Sequence, residues 1–441
     1  MRSISGIRGI VGETLSPEVI ALHTKAFLEF FNAKKIVLGR DSRPTGEAIA
    51  DLVCGVCRLA GVEVIYCGLA TTPTVELLVE HCKADGGIII TASHNPLEWN
   101  ALKFLNSKGI FPSPKEADAI FAKADKAEFT WANYASVGKK ENLQNGNKIH
   151  IDLTTALPFV DVPAIKAKRF KVALDAVNGA GSFILPELLK ALNCEVVPIH
   201  CTPNGTFPRG AEPLAENLGD LEKAVFENKC AVGFALDPDA DRCAIVDENG
   251  KAIGEEYTLA IAVESVLERE KKDVSVNLST SRMSEDLAEK FGVKCHRTKV
   301  GEVNVSLNMM EHGGVVGGEG NGGVILPALH YGRDSLVSVA LVLDYLARHN
   351  STISNWVKLH PSYTMLKKKF ELSGAVAEVL QKIEKLFEGW TVDNRDGLWL
   401  GKGKCFVHIR ASNTEPVIRV ISEAPTKDEA ELLCKKVEDL L

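Results

Sequence analysis

The hexapeptide Thr91-Ala92-Ser93-His94-Asn95-Pro96 sets a hydroxyl, an imidazole and an amide side by side and closes on Asn-Pro, a pair that starts a turn. It follows Gly86-Gly87-Ile88-Ile89-Ile90, an apolar β-branched run of the kind that forms a buried strand. A serine ending such a strand presents its oxygen at the edge of the sheet. A neighbouring base or a bound metal would make that oxygen a useful nucleophile, able to carry a covalent group. His94 and Asn95 can hydrogen-bond there, and Lys103 sits in the next apolar run. Taken alone, the hexapeptide reads first as a turn serine.

Three further loops change the balance. Asp237, Asp239 and Asp241 alternate over five residues, so a tight turn can gather their carboxylates around one hard divalent cation, and Mg²⁺ suits such ligands. An EF-hand is excluded, because Arg242 stands where that loop needs glycine and both flanks read as strands. A solvated acidic turn is disfavoured by Pro238 and by the apolar runs on either side. Arg242 can serve there as an ion pair or as an anion contact.

Gly318 to Gly323 matches G-x-G-x-x-G, but the strand-like Val324-Ile325-Leu326 follows where a dinucleotide site needs a helix. The loop is then either a hairpin turn or a flexed segment offering Glu319 and Asn321 to a polyol. Arg410, Ser412, Asn413 and Thr414, with Arg419 a strand's reach away, gather guanidiniums, hydroxyls and an amide into a nest for phosphate. A phosphorylatable hydroxyl, a cation trap, a polyol reader and a separate phosphate anchor point together to phosphoryl transfer on a sugar phosphate.

The elements that must position these loops repeat. Strand Ile36–Gly39, a helix from Thr45 to Ala60, strand Val62–Cys67, a helix from Val75 to Lys83 and strand Gly86–Ile90 deliver Ser93. Strands Phe170–Asp175, Glu195–His200 and Ala231–Leu236, with helices between, deliver the aspartates. Strands at Asp273–Leu278, Lys294–Arg297 and Gly314–Val316 deliver the glycine loop. Alternating strands and helices predict mostly parallel sheets covered on both faces, and ligands of such sheets lie beyond the carboxyl ends of the strands. Three units can thus aim their loops into one cleft. The tail, with a helix from Ala375 to Phe387, strands around Arg410 and a closing helix from Lys427 to Leu440, reads as a smaller α+β domain. Asn142 to Asn147 reads as a polar linker.

Composition narrows the partners. The 441 residues suggest several domains, and 51 Lys and Arg against 58 Asp and Glu leave a net charge of -7, which disfavours nucleic acid. The N-terminus lacks an apolar signal region and no run approaches the roughly 18 apolar residues of a membrane span. A cytoplasmic protein without membrane partners is expected. Eleven scattered cysteines fit a reducing compartment, with Cys54 and Cys57 read as helix core residues. No Walker-type phosphate loop is present, which argues against a kinase.

With all four loops in order over essentially its whole length, the chain resembles the α-D-phosphohexomutases (phosphoglucomutase, phosphomannomutase, phosphoglucosamine mutase). The resemblance implies three similar α/β/α domains with mixed, mostly parallel sheets, and a smaller C-terminal α+β domain, around a central cleft. The expected spans are 1–148, 149–252, 253–362 and 363–441. By the same resemblance Ser93 is the serine that becomes phosphorylated, and with Asp237, Asp239 and Asp241 it holds one Mg²⁺ per chain. Lys103 is placed like the family's general acid/base, with Arg8 and His94 beside the phosphoserine. Arg242, Lys299, Glu319 and Asn321 contact the substrate, and Arg410, Ser412, Asn413, Thr414 and Arg419 hold the phosphate that is not reacting.

A hexose 1,6-bisphosphate is the implied activator, and a monomer or homodimer the implied state. One departure stands out: bacterial phosphomannomutases and phosphoglucosamine mutases often end the sugar loop in Ser-Gly-His, whereas here it is Asn321-Gly322-Gly323. His330 is a candidate substitute for the missing histidine. The variant loop resembles archaeal-type enzymes and some assigned as phosphoglucosamine mutases. Exchange of glucosamine 6-phosphate and 1-phosphate is therefore the leading expectation, with mannose or glucose phosphates as the alternative. An inactive sugar-phosphate binder is the rival from another class.

Overall fold

The structure, a computed structural model, describes residues 1–371, 376–411 and 417–441. Among the described residues the strands form four sheets, and the first begins with the antiparallel pair Arg2–Ser3 and Gly6–Ile10. Lys35–Arg40 lies in its interior, flanked in parallel by Glu63–Leu69 and Gly86–Ile90. Ile36, Leu38, Ile88 and Ile90 pack with Phe27, Val53 and Cys57 on one face, while Val37 and Ile89 pack with Val75, Leu78 and Val79 on the other. Burial on both faces explains why these strands are unbroken apolar runs rather than alternating ones.

The helix expected from Val75 starts earlier, at Thr72–His81, because the Thr71 hydroxyl accepts from Thr74 N and Pro73 fits the first turn. That shift matters for function, since it sets Thr72 against the second unit. The expected linker is ordered: Lys140–Asn142 extends the first sheet in parallel to Glu63–Leu69, and the helix Gly146–Thr155 follows directly.

The repeat seen in the sequence is a repeat of topology. In each of the first three units the first strand sits between the second and the third, all parallel, and an antiparallel fourth strand borders the third. The triplets are Lys35–Arg40, Glu63–Leu69 and Gly86–Ile90; then Lys171–Asp175, Glu195–Ile199 and Val232–Leu236; then Val274–Asn277, Cys295–Thr298 and Val316–Glu319. Their antiparallel neighbours are Trp99–Asn106, Cys243–Val246 and Gly323–Leu326. The third strand is therefore interior every time, and the loop leaving it opens at the middle of the sheet's carboxyl edge.

The second and third units share one apolar core. Leu174, Leu188, Phe234 and Ile245 are continuous with Leu259, Ile261, Val276, Leu341 and Trp356. Much of the join is the helix Ser335–His349, capped by the Asp334 carboxylate, which accepts from Leu336 N at 2.7 Å. The C-terminal unit keeps its own core: an antiparallel sheet in the order Thr364–Glu371, Val417–Ala424, Cys405–Ala411, Leu398–Lys402, Thr391–Asp393, covered on one face by the helices Val376–Leu386 and Lys427–Glu438. Its other face meets the third unit through a small apolar patch of Trp399 and Phe406 on Leu278, with Arg297 stacked 5.5 and 5.3 Å from the two ring centres.

Candidate active site

Ser93 lies three residues beyond the strand Gly86–Ile90, in the left-handed region at φ +46°, a conformation that costs a serine roughly 1 kcal/mol or more and persists only where the surroundings enforce it. They do. Its N–H donates to Thr91 Oγ1 at 2.9 Å, and its carbonyl accepts from Arg43 Nη2 at 2.7 Å. The buried Arg43 guanidinium also donates to the carbonyls of Asn95 and Pro96, both at 2.8 Å, and pairs with Asp41 at 3.2 Å. Asp41 in turn accepts from Thr91 Oγ1 at 2.6 Å. Held this way, the serine hydroxyl donates to Asp237 Oδ2 at 3.0 Å, across 144 residues of sequence.

Asp237, Asp239 and Asp241 are fully buried and their nearest oxygens lie within 4.8 Å of one another. The turn closes on itself, Asp237 Oδ1 accepting from the N–H groups of Asp241 and Arg242 at 3.1 and 3.2 Å. Oδ1 of Asp239 and Oδ1 of Asp241 are buried without a hydrogen-bond partner. An unsatisfied buried carboxylate oxygen is costly, and two of them in one oxygen-rich pocket fit a hard divalent cation. Burial together with the repulsion of Asp241 and Asp239 pushes the Asp237 carboxyl well above the usual carboxylate range. Burial would do the same to Asp239, but the Lys103 ammonium at 2.7 Å and the Thr72 hydroxyl at 2.7 Å hold it below that range. Lys103 itself is kept charged against burial by Asp239 and Asp241.

The flanking residues expected from sequence are close by. Arg8 donates to the Asn95 side chain at 3.3 Å. Arg242 reaches Glu212 at 3.3 Å and His94 Nδ1 at 3.4 Å, and its Nε lies 3.6 Å from Asp241. Burial, and then Arg242, lower the His94 imidazole to about 4, so it is neutral near pH 7.

Glu319 is buried at the end of its strand and is held by its neighbours. Oε1 accepts from Asn277 Nδ2 at 2.7 Å and Gly301 N at 2.9 Å, and Oε2 from Arg333 Nη1 at 2.7 Å. Asn321 is partly exposed and accepts from Gly323 N at 3.2 Å. His330 does not replace a cleft histidine. It is buried against Asp334 at 3.1 Å, and His150 bonds the same carboxylate oxygen at 2.8 Å. Gly332 N donates to His330 Nδ1 and the Thr74 hydroxyl engages His150 Nδ1, so every ring nitrogen is occupied and the cluster locks the units together.

At the far end Arg410 lies opposite Arg419, and Arg419 opposite Lys369, in neighbouring strands. Three cations directly opposite one another repel. A phosphate would relieve that. Asp396 binds Arg410 at 3.0 Å and Val300 N at 2.8 Å, and so ties this end to the loop bearing the exposed Lys299. Ser412, Asn413 and Thr414 lie outside the described residues.

Asp41, Arg43, Thr72, Arg333 and Asp396 are site residues to which the sequence reading assigns no role. Each lies in a segment leaving or entering a strand on the cleft side. A charged or hydroxyl residue at a strand's carboxyl end was the available signal.

Comparison with known proteins decides the family. Residues 2–131, 149–250, 254–363 and 366–440 match, in order, the three α/β/α domains and the C-terminal domain of phosphoglucomutase/phosphomannomutase. The chain belongs to this family. A phosphoglucomutase/phosphomannomutase of Thermococcus kodakarensis is 36% identical, covering 99% of this chain and 98% of that one. A probable phosphoglucosamine mutase of Methanopyrus kandleri is 32% identical, over 99% and 96%. The fold matches a crystal structure of a phosphoglucomutase/phosphomannomutase family protein from Burkholderia thailandensis with TM-score 0.87, at 24% identity over 100% and 98% of the two chains. No helix among the described residues is long and apolar enough to cross a membrane.

Proposed function

We propose that the protein is a phosphohexomutase exchanging hexose 6-phosphate and hexose 1-phosphate, with glucosamine phosphate as its substrate. The observation that supports this most is the Ser93 hydroxyl, 3.0 Å from Asp237, beside two buried aspartate oxygens that have no hydrogen-bond partner. In this reading phosphorylated Ser93 gives its phosphoryl group to the free hydroxyl of a sugar monophosphate. The phosphorus–serine oxygen bond breaks as the new phosphorus–sugar oxygen bond forms. The bisphosphorylated sugar turns in the cleft, and its original phosphate returns to Ser93.

Mg²⁺, bound by Asp237, Asp239 and Asp241 with the phosphoserine, would neutralise charge on the transferring group. In the first transfer Lys103, held as an ammonium by Asp239, can give a proton to the serine oxygen and take up the one that the sugar hydroxyl loses, ending the step charged as it began; the reverse step runs both transfers backwards. Glu319 and Asn321 meet the sugar hydroxyls, Arg242 and Lys299 the passing substrate, and Arg410 and Arg419 the phosphate at rest.

The amino-sugar reading is supported by the Asn-Gly-Gly ending of the sugar loop and by the name of the Methanopyrus relative. The name of the Thermococcus relative favours mannose and glucose phosphates as the second reading. Rates on glucosamine, glucose and mannose 6-phosphates, measured side by side with Mg²⁺ and the matching bisphosphate, decide between them. Absence of turnover on all three, with Ser93 unphosphorylated by mass analysis, rejects the mutase.

A further inference from the structure

One side chain joins three segments that lie far apart in the sequence. Arg333 donates from Nη2 to Asp241 Oδ2 at 2.5 Å, from Nη1 to Glu319 Oε2 at 2.7 Å and from Nε to Glu302 Oε2 at 2.8 Å. Its stem crosses directly over Gly323, where a Cβ would lie 2.3 Å from Arg333 Cδ and 2.9 Å from Cγ. Gly323 does not have a left-handed backbone, so what forbids a side chain there is this stem and not φ.

We propose that Arg333 is a positioning residue for sugar recognition: it fixes the plane of the Glu319 carboxylate relative to Asp241, and residue 323 is glycine so that this arm can pass. The position where a histidine was expected is thus filled by an arginine arriving from the next strand. Each guanidinium nitrogen serves a different carboxylate, so one rigid planar group sets the relative orientation of three acids drawn from two units. Asn277 and Gly301 hold Oε1 of Glu319, while Oε2 receives one bond from Arg333 and keeps a lone pair for an incoming hydroxyl. An ammonium is a point charge and cannot reproduce the fork.

The proposal rests on Glu319 meeting the sugar, and its test separates the two ideas. Binding of glucosamine 6-phosphate and of inorganic phosphate to unphosphorylated, metal-free protein is measured by calorimetry, with KM and kcat alongside. For Arg333→Lys the dissociation constant and KM of the sugar phosphate should rise about tenfold, with inorganic phosphate binding nearly unchanged. Gly323→Ala, which pushes the arginine aside, should act in the same direction. In an Arg333→Ala background, Gly323→Ala should add nothing.

Sugar-phosphate binding unchanged in both Arg333→Lys and Gly323→Ala overturns the proposal. So does a parallel loss of inorganic phosphate binding, or full additivity of the two substitutions. If Arg333→Ala does not fold, Gly323→Ala alone decides by the same binding comparison. A wild-type protein that binds the sugar phosphate but never isomerises it would reject the mutase and leave this comparison intact.

Discussion

The two ends of the cleft are built differently. At the serine end, the groups that touch Ser93 are buried and committed elsewhere as well: Thr91 to Asp41, Arg43 to Asp41 and three carbonyls, Asp237 to the N–H groups of Asp241 and Arg242. The anchoring end offers Arg410, Arg419 and Lys369 from a domain with its own core, joined to the rest by a small patch and a few polar bonds. The contrast suits the proposed reaction. A phosphoryl group in transfer needs fixed geometry, whereas a sugar that must turn end for end needs a clamp that can let go.

Substitutions should expose the contrast, the largest effect first. Ser93→Ala should remove all measurable turnover while thermal unfolding stays put; retained turnover would show that the rigid end is not where the chemistry occurs. Arg43→Met leaves Asp41 buried without its cation and three carbonyls without a donor, so a loss of about 3–5 kcal/mol of stability is expected. Chemical denaturation would show it, and an unchanged midpoint would mean that the serine end is less tightly determined than its hydrogen bonds imply. Arg410→Ala at the open end should barely move stability but weaken sugar-phosphate binding by about 1.5–3 kcal/mol, seen in KM more than in kcat. Unchanged affinity would remove the anchor.

The smallest effect concerns pH. At the join between the third and C-terminal units, burial raises Glu256 to about 8 and Glu423 to about 7. Both folded values exceed the ordinary carboxylate value, so the folded state binds protons more tightly there. The resulting stabilisation is complete below about pH 4 and is lost as pH rises towards 8. Limited proteolysis between the third and C-terminal units should therefore quicken from pH 6 to pH 8.5, and Glu423→Gln should flatten the change. A rate independent of pH in the wild type would mean that these carboxyls do not govern the joint.

Much of the framework was legible because it rests on local pattern. Ile88-Ile89-Ile90, Phe234-Ala235-Leu236 and Val315-Val316 are apolar runs consistent with interior strands, and the unusual loops follow them closely. The helix Ser335–His349 was not foreseen, since Leu336-Val337-Ser338-Val339 reads as well in an extended chain and only burial on nearly all sides makes it helical. Candidate site residues were legible where several reactive types crowd one loop. Arg43, Thr72 and Arg333 were not: apart from the Arg43–Asp41 pair their partners lie in other segments, and a place near a strand's end marks a residue without naming its partner. His330 shows the opposite error, an imidazole near the right place in the chain whose ring turns into the protein.

Because the second and third units share a core, the aspartate turn and the Glu319 carboxylate proposed to meet the sugar are joined by one apolar interior and spanned by Arg333. Anyone recombining this enzyme with a relative to alter its sugar preference should transplant 149–363 as a block and avoid a cut near 252. A crossover there would pass through the interior of a single folding unit.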